Sequence, residues 1–137
     1  MALVLDTGPL LAALDAADPA HPACARLLGA AREDLVVPAL VLAELDYWCH
    51  QRLTPQAWLT FLEDLLGGAY RLEHPTTGDL ERCHQLQGQY ADQEVGVVDA
   101  SVLALVERLG EEKLATLDHR HFGMLRPSHV QALRLLP

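Results

Sequence analysis

The sequence predicts an α/β protein, a three-layer α/β/α sandwich with a mainly parallel central sheet. Three observations support this prediction. Short apolar runs of strand length alternate with stretches of helical periodicity along the whole chain. Half of the residues are hydrophobic, which is enough for a substantial core. The 137 residues contain no internal repeat or linker, so we expect one domain that spans residues 1–137.

The first and the last long apolar runs are built alike. Met1–Leu5 predicts a strand that ends on Asp6, and Pro9 suits the first position of a following helix. Lys113–Leu117 predicts a late strand that also ends on an acid, Asp118. Between them the patterns predict, in order, helices near 10–14 and 24–31, a strand at 35–37, helices at 41–49 and 55–66, a short strand at 69–72, a helix capped by Thr77, a loop at 91–96 and a helix from 97 to 109. We expect a loop at 119–127 and a last strand at 132–136.

Composition restricts the function. The formal net charge is −9, from ten basic and nineteen acidic residues, so the chain repels nucleic acid at long range. A nucleic-acid enzyme of this composition needs local arginines, a bound metal ion, or both. Cys24, Cys49 and Cys83 are odd in number and form no C-x-x-C pair, which favours buried thiols over a disulfide framework or a zinc site. No leader pattern and no apolar run of transmembrane length occurs, so we expect a soluble, cytoplasmic protein.

Four acids from separate segments are predicted to meet at one edge of the sheet. Asp6 and Asp118 follow strands, and the carboxyl ends of parallel strands share an edge. Asp99 lies in the first turn of a helix, and Glu44 lies at the border of the buried stripe of another. Carboxylates crowded without a counter-charge repel one another. A hard divalent cation such as Mg²⁺ or Mn²⁺ relieves this, and such ions activate water for attack on phosphodiesters.

Four stretches of the chain resemble the motifs of a PIN domain: Leu5–Leu11, Pro38–Leu45, Val98–Ser101 and Leu114–Phe122. Their order and approximate spacing also match, and the resemblance covers essentially the whole chain. The branch that looks most similar is the VapC-type toxins of bacterial toxin–antitoxin pairs. The resemblance implies a metal-dependent endoribonuclease that acts on RNA, a homodimer, and inhibition by a small antitoxin-like protein with a basic segment.

The resemblance also assigns roles by position. Asp6 and Asp99 are the implied principal metal ligands, and Glu44 and Asp118 complete the catalytic acidic set. Gly8 stands where the family often has a small polar residue, which removes a hydrogen bond near the site and leaves the metal ligands in place.

Other residues are predicted to support these acids or to contact substrate. Thr7 and Thr116 are expected to orient carboxylates or bound water, and Asp92 resembles an acid often found before the third motif. Arg120 and His121 are candidates for contact with RNA, because they follow Asp118 closely. The alternatives are a plain surface charge for Arg120 and, for His121, a loop residue beside a buried Phe122.

Each acid has a structural alternative. Asp6 and Asp99 are each well placed to favour a helix amino terminus, and Glu44 alone is typical of a solvated helix. Trp48 and Trp58 lie on helical stripes, which favours core or dimer packing over stacking on bases.

Two other functions fit parts of the pattern. One is a catalytically weak module of the same fold that mainly binds a protein partner. The other is a phosphohydrolase or receiver-like domain, which the sequence disfavours. Asp6-Thr7-Gly8 lacks a second aspartate, and Lys113, the single lysine, begins its strand instead of ending it.

Overall fold

A parallel sheet lies at the centre of the molecule, and the computed structural model describes all residues from 1 to 137. Its strands are β1 (Ala2–Leu5), β2 (Asp34–Pro38), β3 (Arg71–Glu73), β4 (Lys113–Ala115) and β5 (Arg134–Leu136). They lie in the order β3-β2-β1-β4-β5, and every neighbouring pair is parallel. The first strand of the chain is therefore the middle strand of the sheet. Its Leu3, Val4 and Leu5 are fully buried, as expected for a strand with helices on both faces.

Seven helices surround the sheet. They are α1 (Thr7–Leu14), α2 (His21–Ala30), α3 (Ala39–Arg52), α4 (Pro55–Leu66), α5 (Thr77–Gln89), α6 (Val97–Leu109) and α7 (His119–Met124), with a 3₁₀ turn at Ala91–Gln93. Helix α6 contacts β1 and β2 and packs most extensively on α5. The α/β prediction is confirmed, and the sheet is wholly parallel. None of the helices combines the length and the apolar character needed to cross a membrane.

Most helix ends follow from local chemistry. The Thr54 hydroxyl accepts a hydrogen bond from the Ala57 amide at 3.2 Å and so caps α4, while α6 ends at Gly110 with a left-handed φ of 69°. The predicted cap of α5 was wrong by one residue. Thr76, not Thr77, exchanges hydrogen bonds with Asp79 in a capping box.

The structure corrects three boundaries near the acidic edge. Helix α1 begins at Thr7, so Pro9 is its third residue, where the missing N–H costs no intrahelical bond. Strand β4 ends at Ala115, earlier than the predicted Leu117. Part of the predicted loop after Asp118 is the short helix α7, because the Asp118 carboxylate caps it by accepting the His121 amide at 3.0 Å.

The core is one cluster of 25 buried residues, drawn from segments between Ala2 and Leu125. Cys24, Cys49 and Cys83 are buried and unbonded to each other, which confirms the prediction of free thiols. This core holds the strand ends rigidly, and the polar residues that follow β1 and β4 are therefore fixed in place.

Candidate active site

The carboxyl ends of β1 and β4 lie side by side and open into a cleft of about 610 Å³. The Asp6 amide donates to the Ala115 carbonyl at 2.9 Å, which extends the pairing of the two strands beyond their formal ends. Among the residues that line the cleft are Asp6, Glu44, Asp99 and Asp118, whose carboxylates we call the acid cluster. They come from four separate segments, and the fold alone brings them together.

Asp6 is held by β4 and makes no cap for α1. It occupies the position before the helix, yet its side chain makes no capping hydrogen bond, so the capping interpretation was wrong. Instead its Oδ2 accepts a hydrogen bond from the buried Thr116 hydroxyl at 2.8 Å. The same hydroxyl accepts the Asp118 amide at 3.0 Å, which leaves its proton directed at Asp6. Burial raises the pKa of Asp6, although the hydrogen bond from Thr116 opposes this.

Glu44 is fixed by a second threonine. It lies half-buried on α3, and its Oε1 accepts a hydrogen bond from the Thr7 hydroxyl at 2.5 Å. Thr7 is itself only 6% exposed at the start of α1. Two threonines that follow two neighbouring strands therefore orient two different carboxylates of the acid cluster.

Asp99 and Asp118 share a histidine. His121 Nδ1 lies 2.8 Å from Asp118 Oδ2 and 3.9 Å from Asp99 Oδ2. One donor atom from each of the three residues lies within 4.8 Å of the others, a spacing that suits a metal ion. Asp99 is in the first turn of α6, with its side chain 24% exposed. Burial, and after it repulsion by the other three carboxylates of the acid cluster, raises the pKa of Asp99 to about 7, although His121 opposes this.

The acid cluster lacks a cationic partner within the chain. No lysine or arginine nitrogen lies within 4.0 Å of any of its oxygens, and His121 is the one basic side chain that does. The available donors are carboxylate oxygens and an imidazole nitrogen, and the buried cysteines lie outside the cleft. Oxygen-rich donor sets of this kind suit Mg²⁺ or Mn²⁺. The donor chemistry and the uncompensated charge therefore both fit a hard divalent cation.

Some predicted residues lie outside the cleft. Asp92 is exposed in the 3₁₀ turn Ala91–Gln93, and Arg120 is exposed on α7; neither lines the cleft. His119 Nε2 lies at hydrogen-bonding distance, 3.1 Å, from the Thr116 carbonyl, and His119 neither lines the cleft nor belongs to the donor set. Gly8 lines the cleft, and a Cβ there would lie 3.2 Å from Leu117 Cβ, so glycine gives the start of α1 room beside the segment that follows β4.

Sequence reasoning missed three residues of the cleft: Asp18, Trp48 and Arg52. The sequence pattern of Trp48 favours core or dimer packing, and nothing in the pattern distinguishes Asp18, or Arg52 when it is taken alone. A signal for two of them was present, because Glu44, Trp48 and Arg52 are spaced at four-residue intervals on α3 and thus share a face.

These features define an α/β/α fold with an acidic cleft at the edge of its sheet, and a family model of the PIN domain matches residues 3–124. The chain belongs to the PIN domain family. Ribonuclease VapC26 of Mycobacterium tuberculosis is 38% identical over 125 residues, covering 91% of this chain and 93% of that protein. The chain is thus similar to the VapC proteins in particular.

Solved structures agree on the fold. VapC20 of Mycobacterium tuberculosis, a toxin that cleaves the sarcin–ricin loop, has a TM-score of 0.82 at 21% identity, over 94% of this chain and 98% of that one. VapBC2 of Rickettsia felis, solved with a fragment of promoter DNA, has a TM-score of 0.72 at 16% identity, over 100% of both chains. At these identities the likeness establishes the α/β/α architecture and nothing further.

Proposed function

We propose that this chain is a metal-dependent endoribonuclease that hydrolyses RNA phosphodiesters and serves as the toxin of a toxin–antitoxin pair, with residues 1–137 acting as one PIN domain. The observation that carries the proposal is the meeting of four carboxylates, from four segments, in one cleft without a cationic partner. The 38% identity to a ribonuclease of the VapC group supports the same reaction. We expect it to act in the cytoplasm, where cellular RNA is available.

The acid cluster would hold Mg²⁺ or Mn²⁺, with Asp6 and Asp99 as principal ligands and Glu44 and Asp118 beside them. When bound, such an ion supplies positive charge that activates water and stabilises the leaving oxygen of a phosphodiester. The chain itself contributes prearranged carboxylates. Thr116 holds Asp6 in one orientation, and Thr7 holds Glu44 in one orientation. These two carboxylates would therefore need little rearrangement when a metal ion binds.

Asp99 has a particular role in this arrangement. With its pKa near 7, its carboxyl is only partly ionised at neutral pH in the metal-free protein. It must release its proton to become a ligand, so metal affinity increases with pH. His121 holds Asp118 through its Nδ1 and leaves Nε2 without a partner in the chain, which gives the cleft a nitrogen for contact with RNA.

The proposed partners are RNA and an antitoxin-like protein. The structures of VapBC2 from Rickettsia felis and of VapBC from Salmonella typhimurium are both of VapBC complexes on DNA, and they support a partner of the antitoxin class. A basic segment of such a partner would complement the net charge of −9 and the acid cluster. We also propose a homodimer, from the family resemblance.

The alternative is a module of the same fold that binds a protein partner and cuts little RNA. The acid cluster favours the nuclease, because a module that only docks a partner has no need of four crowded carboxylates, one of which, Asp99, has its pKa raised to about 7. The two functions differ in the metal dependence of cleavage.

The test uses the full chain, purified free of any partner and incubated with a mixture of structured RNAs. Reactions contain Mn²⁺, Mg²⁺ or a chelator, and Asp99→Asn is run beside the wild type. Asp64→Asn is the matched control, since Asp64 is an exposed acid on α4. We expect the wild type and Asp64→Asn to cut RNA only when metal is present, and Asp99→Asn not to cut. Equal cutting by Asp99→Asn would refute the site, and no cutting together with tight binding of a basic peptide would favour the module.

A further inference from the structure

One cationic side chain stands at the rim of the otherwise acidic cleft. Arg52 is the only lysine or arginine that lines it. Its guanidinium carbon lies 4.5 Å from the centroid of the Trp48 ring, in cation–π geometry. No carboxylate of the chain lies within 4.0 Å of its nitrogens, although the acid cluster and Asp18 line the same cleft. We call Trp48 and Arg52 the rim pair.

The position of the rim pair follows from the sequence of α3. Glu44, Trp48 and Arg52 repeat every four residues and so lie along one face, from the acid cluster outward. Trp48 is half-buried, and the Tyr47 ring meets it edge-on at 5.0 Å between centroids. The indole is thus fixed, and it in turn restricts a side chain that would otherwise move freely or turn towards the acids.

The geometry points to the rim pair as a phosphate-binding subsite for RNA, in which Arg52 contacts a backbone phosphate next to the one that reacts. This inference rests on the proposed ribonuclease function and names how the substrate is held. Trp48 is a positioning residue, because it acts through Arg52. A guanidinium presents paired donors that match a phosphate, and stacking on indole leaves those donors free at its edge.

Charge also favours RNA over a protein partner at this point. A polyanion entering the cleft meets the acid cluster, and a bound cation offsets repulsion only at the reacting phosphate. A fixed positive charge at the rim reduces repulsion for the neighbouring phosphate. A basic peptide, by contrast, gains from the acid cluster but is repelled by Arg52. The rim pair therefore adds to RNA binding and detracts from binding of a basic segment.

The experiment measures kcat and KM for a synthetic RNA copied from the most rapidly cut site, at several salt concentrations. The variants are Arg52→Ala, Arg52→Lys, Trp48→Leu and Trp48→Phe. Arg26→Ala is the matched control, because Arg26 is an exposed arginine without an acidic partner on α2, outside the cleft. Thermal melting of each variant shows that the fold is retained.

We expect Arg52→Ala to raise KM about tenfold with little change in kcat, the size of one charge-assisted contact. The slope of log affinity against log salt should become shallower by about 0.7, as for one phosphate on a single strand. Trp48→Leu should raise KM about threefold. Trp48→Phe should raise KM less, because an aromatic ring remains beneath the Arg52 guanidinium. Arg52→Lys keeps a cation at the end of α3 and its favourable interaction with the helix dipole, so a purely structural role predicts full rescue of KM. We expect rescue of stability but only partial rescue of KM.

Three results overturn the inference. KM and salt dependence of Arg52→Ala equal to those of wild type would refute the subsite while leaving the ribonuclease intact. An equal loss in Arg26→Ala would show a general effect of charge. If the wild type cuts no RNA with either metal, the proposed function and this inference fail together, and that outcome is distinct from the first two.

Discussion

Buried acids occur in two regions of this molecule, and their surroundings are opposite. Between α5 and α6, Asp79 and Glu107 are each neutralised by an arginine. Arg108 Nε lies 3.1 Å from both oxygens of Asp79, and Arg82 binds Glu107 through two bonds of 2.7 and 3.0 Å. In the cleft, the acid cluster has only His121.

The pKa values show the consequence. Burial acts to raise the pKa of Glu107, but hydrogen bonds from Arg82 and Ser128 lower it below its ordinary value. Burial and repulsion by the other three carboxylates together raise the pKa of Asp99 to about 7, and only His121 opposes them. The chain thus pairs its structural acids with its own arginines and leaves the cleft acids without an arginine or lysine partner. Charge left uncompensated at this cost distinguishes a functional site from a structural one.

The largest expected difference between the regions is in activity. Asp99→Asn should lower the rate of RNA cleavage about a thousandfold or more, or ~4 kcal/mol of barrier, because a proposed principal metal ligand is lost. Its free energy of unfolding should not fall, since a repelled carboxylate is removed. Initial cleavage rates measure the loss of activity, and chemical denaturation measures the free energy of unfolding. Glu107→Gln, assayed at a temperature where it stays folded, should retain its activity; a matching loss there would erase the distinction.

The next largest difference should be in how Mg²⁺ changes the stability of variants in the two regions. Saturation with Mg²⁺ at about 100 times its Kd should stabilise the wild type by about 2.7 kcal/mol. For a domain of this length that is a rise in Tm of about 10 °C. Asp99→Asn should lose most of the rise, and Glu107→Gln should keep it. Melting curves across a Mg²⁺ titration provide the measurement, and the absence of a shift in wild type at millimolar metal would contradict a preformed site.

Removing a structural acid should lower stability and should leave the response to Mg²⁺ unchanged. Glu107→Gln should lower the free energy of unfolding by about 2 kcal/mol, the scale of a lost charged hydrogen bond, because it leaves Arg82 without its partner. Denaturant unfolding with and without Mg²⁺ measures this, and the loss should be the same in both conditions. A loss that disappears with Mg²⁺ would mean that Glu107 is coupled to the cleft.

The sequence predicted the cleft acids far better than the structural ion pairs, for a physical reason. Asp6 and Asp118 follow apolar strands, and parallel strands place their ends together, so local pattern and fold class determine their position. The pairing of Arg82 with Glu107 joins two helices through side chains 25 positions apart. Helical periodicity shows which residues share a face, but it does not show which helix packs opposite.

The same limit explains the errors within the site. His121 was expected to lie in a loop, and it reaches Asp118 because that carboxylate initiates a short helix. Such a helix of six residues has too little periodicity to detect. Trp48 was predicted to pack, and it does pack against the core, but only the fold shows that it also lines the cleft.

The smallest expected difference is in the pH dependence of stability. The folded-state pKa of Asp99, about 7, lies above its unfolded value near 3.8, so between these pH values the folded state binds more protons. Stability of the metal-free protein should therefore fall as pH rises, by about 1 kcal/mol between pH 6 and 8. Denaturation in chelator at both pH values measures the change in stability. Asp99→Asn keeps all the histidines, so the difference between its slope and that of the wild type is the contribution of Asp99. Saturating Mg²⁺ should reverse the trend in wild type, because metal binding at Asp99 then competes with its protonation.

Glu107, with its lowered pKa, contributes stability that is lost only at acidic pH, so Glu107→Gln should leave the slope of stability against pH from 6 to 8 unchanged. Equal slopes in wild type and Asp99→Asn would mean that Asp99 is already ionised in the metal-free cleft, and the contrast between the two regions would then rest on geometry alone.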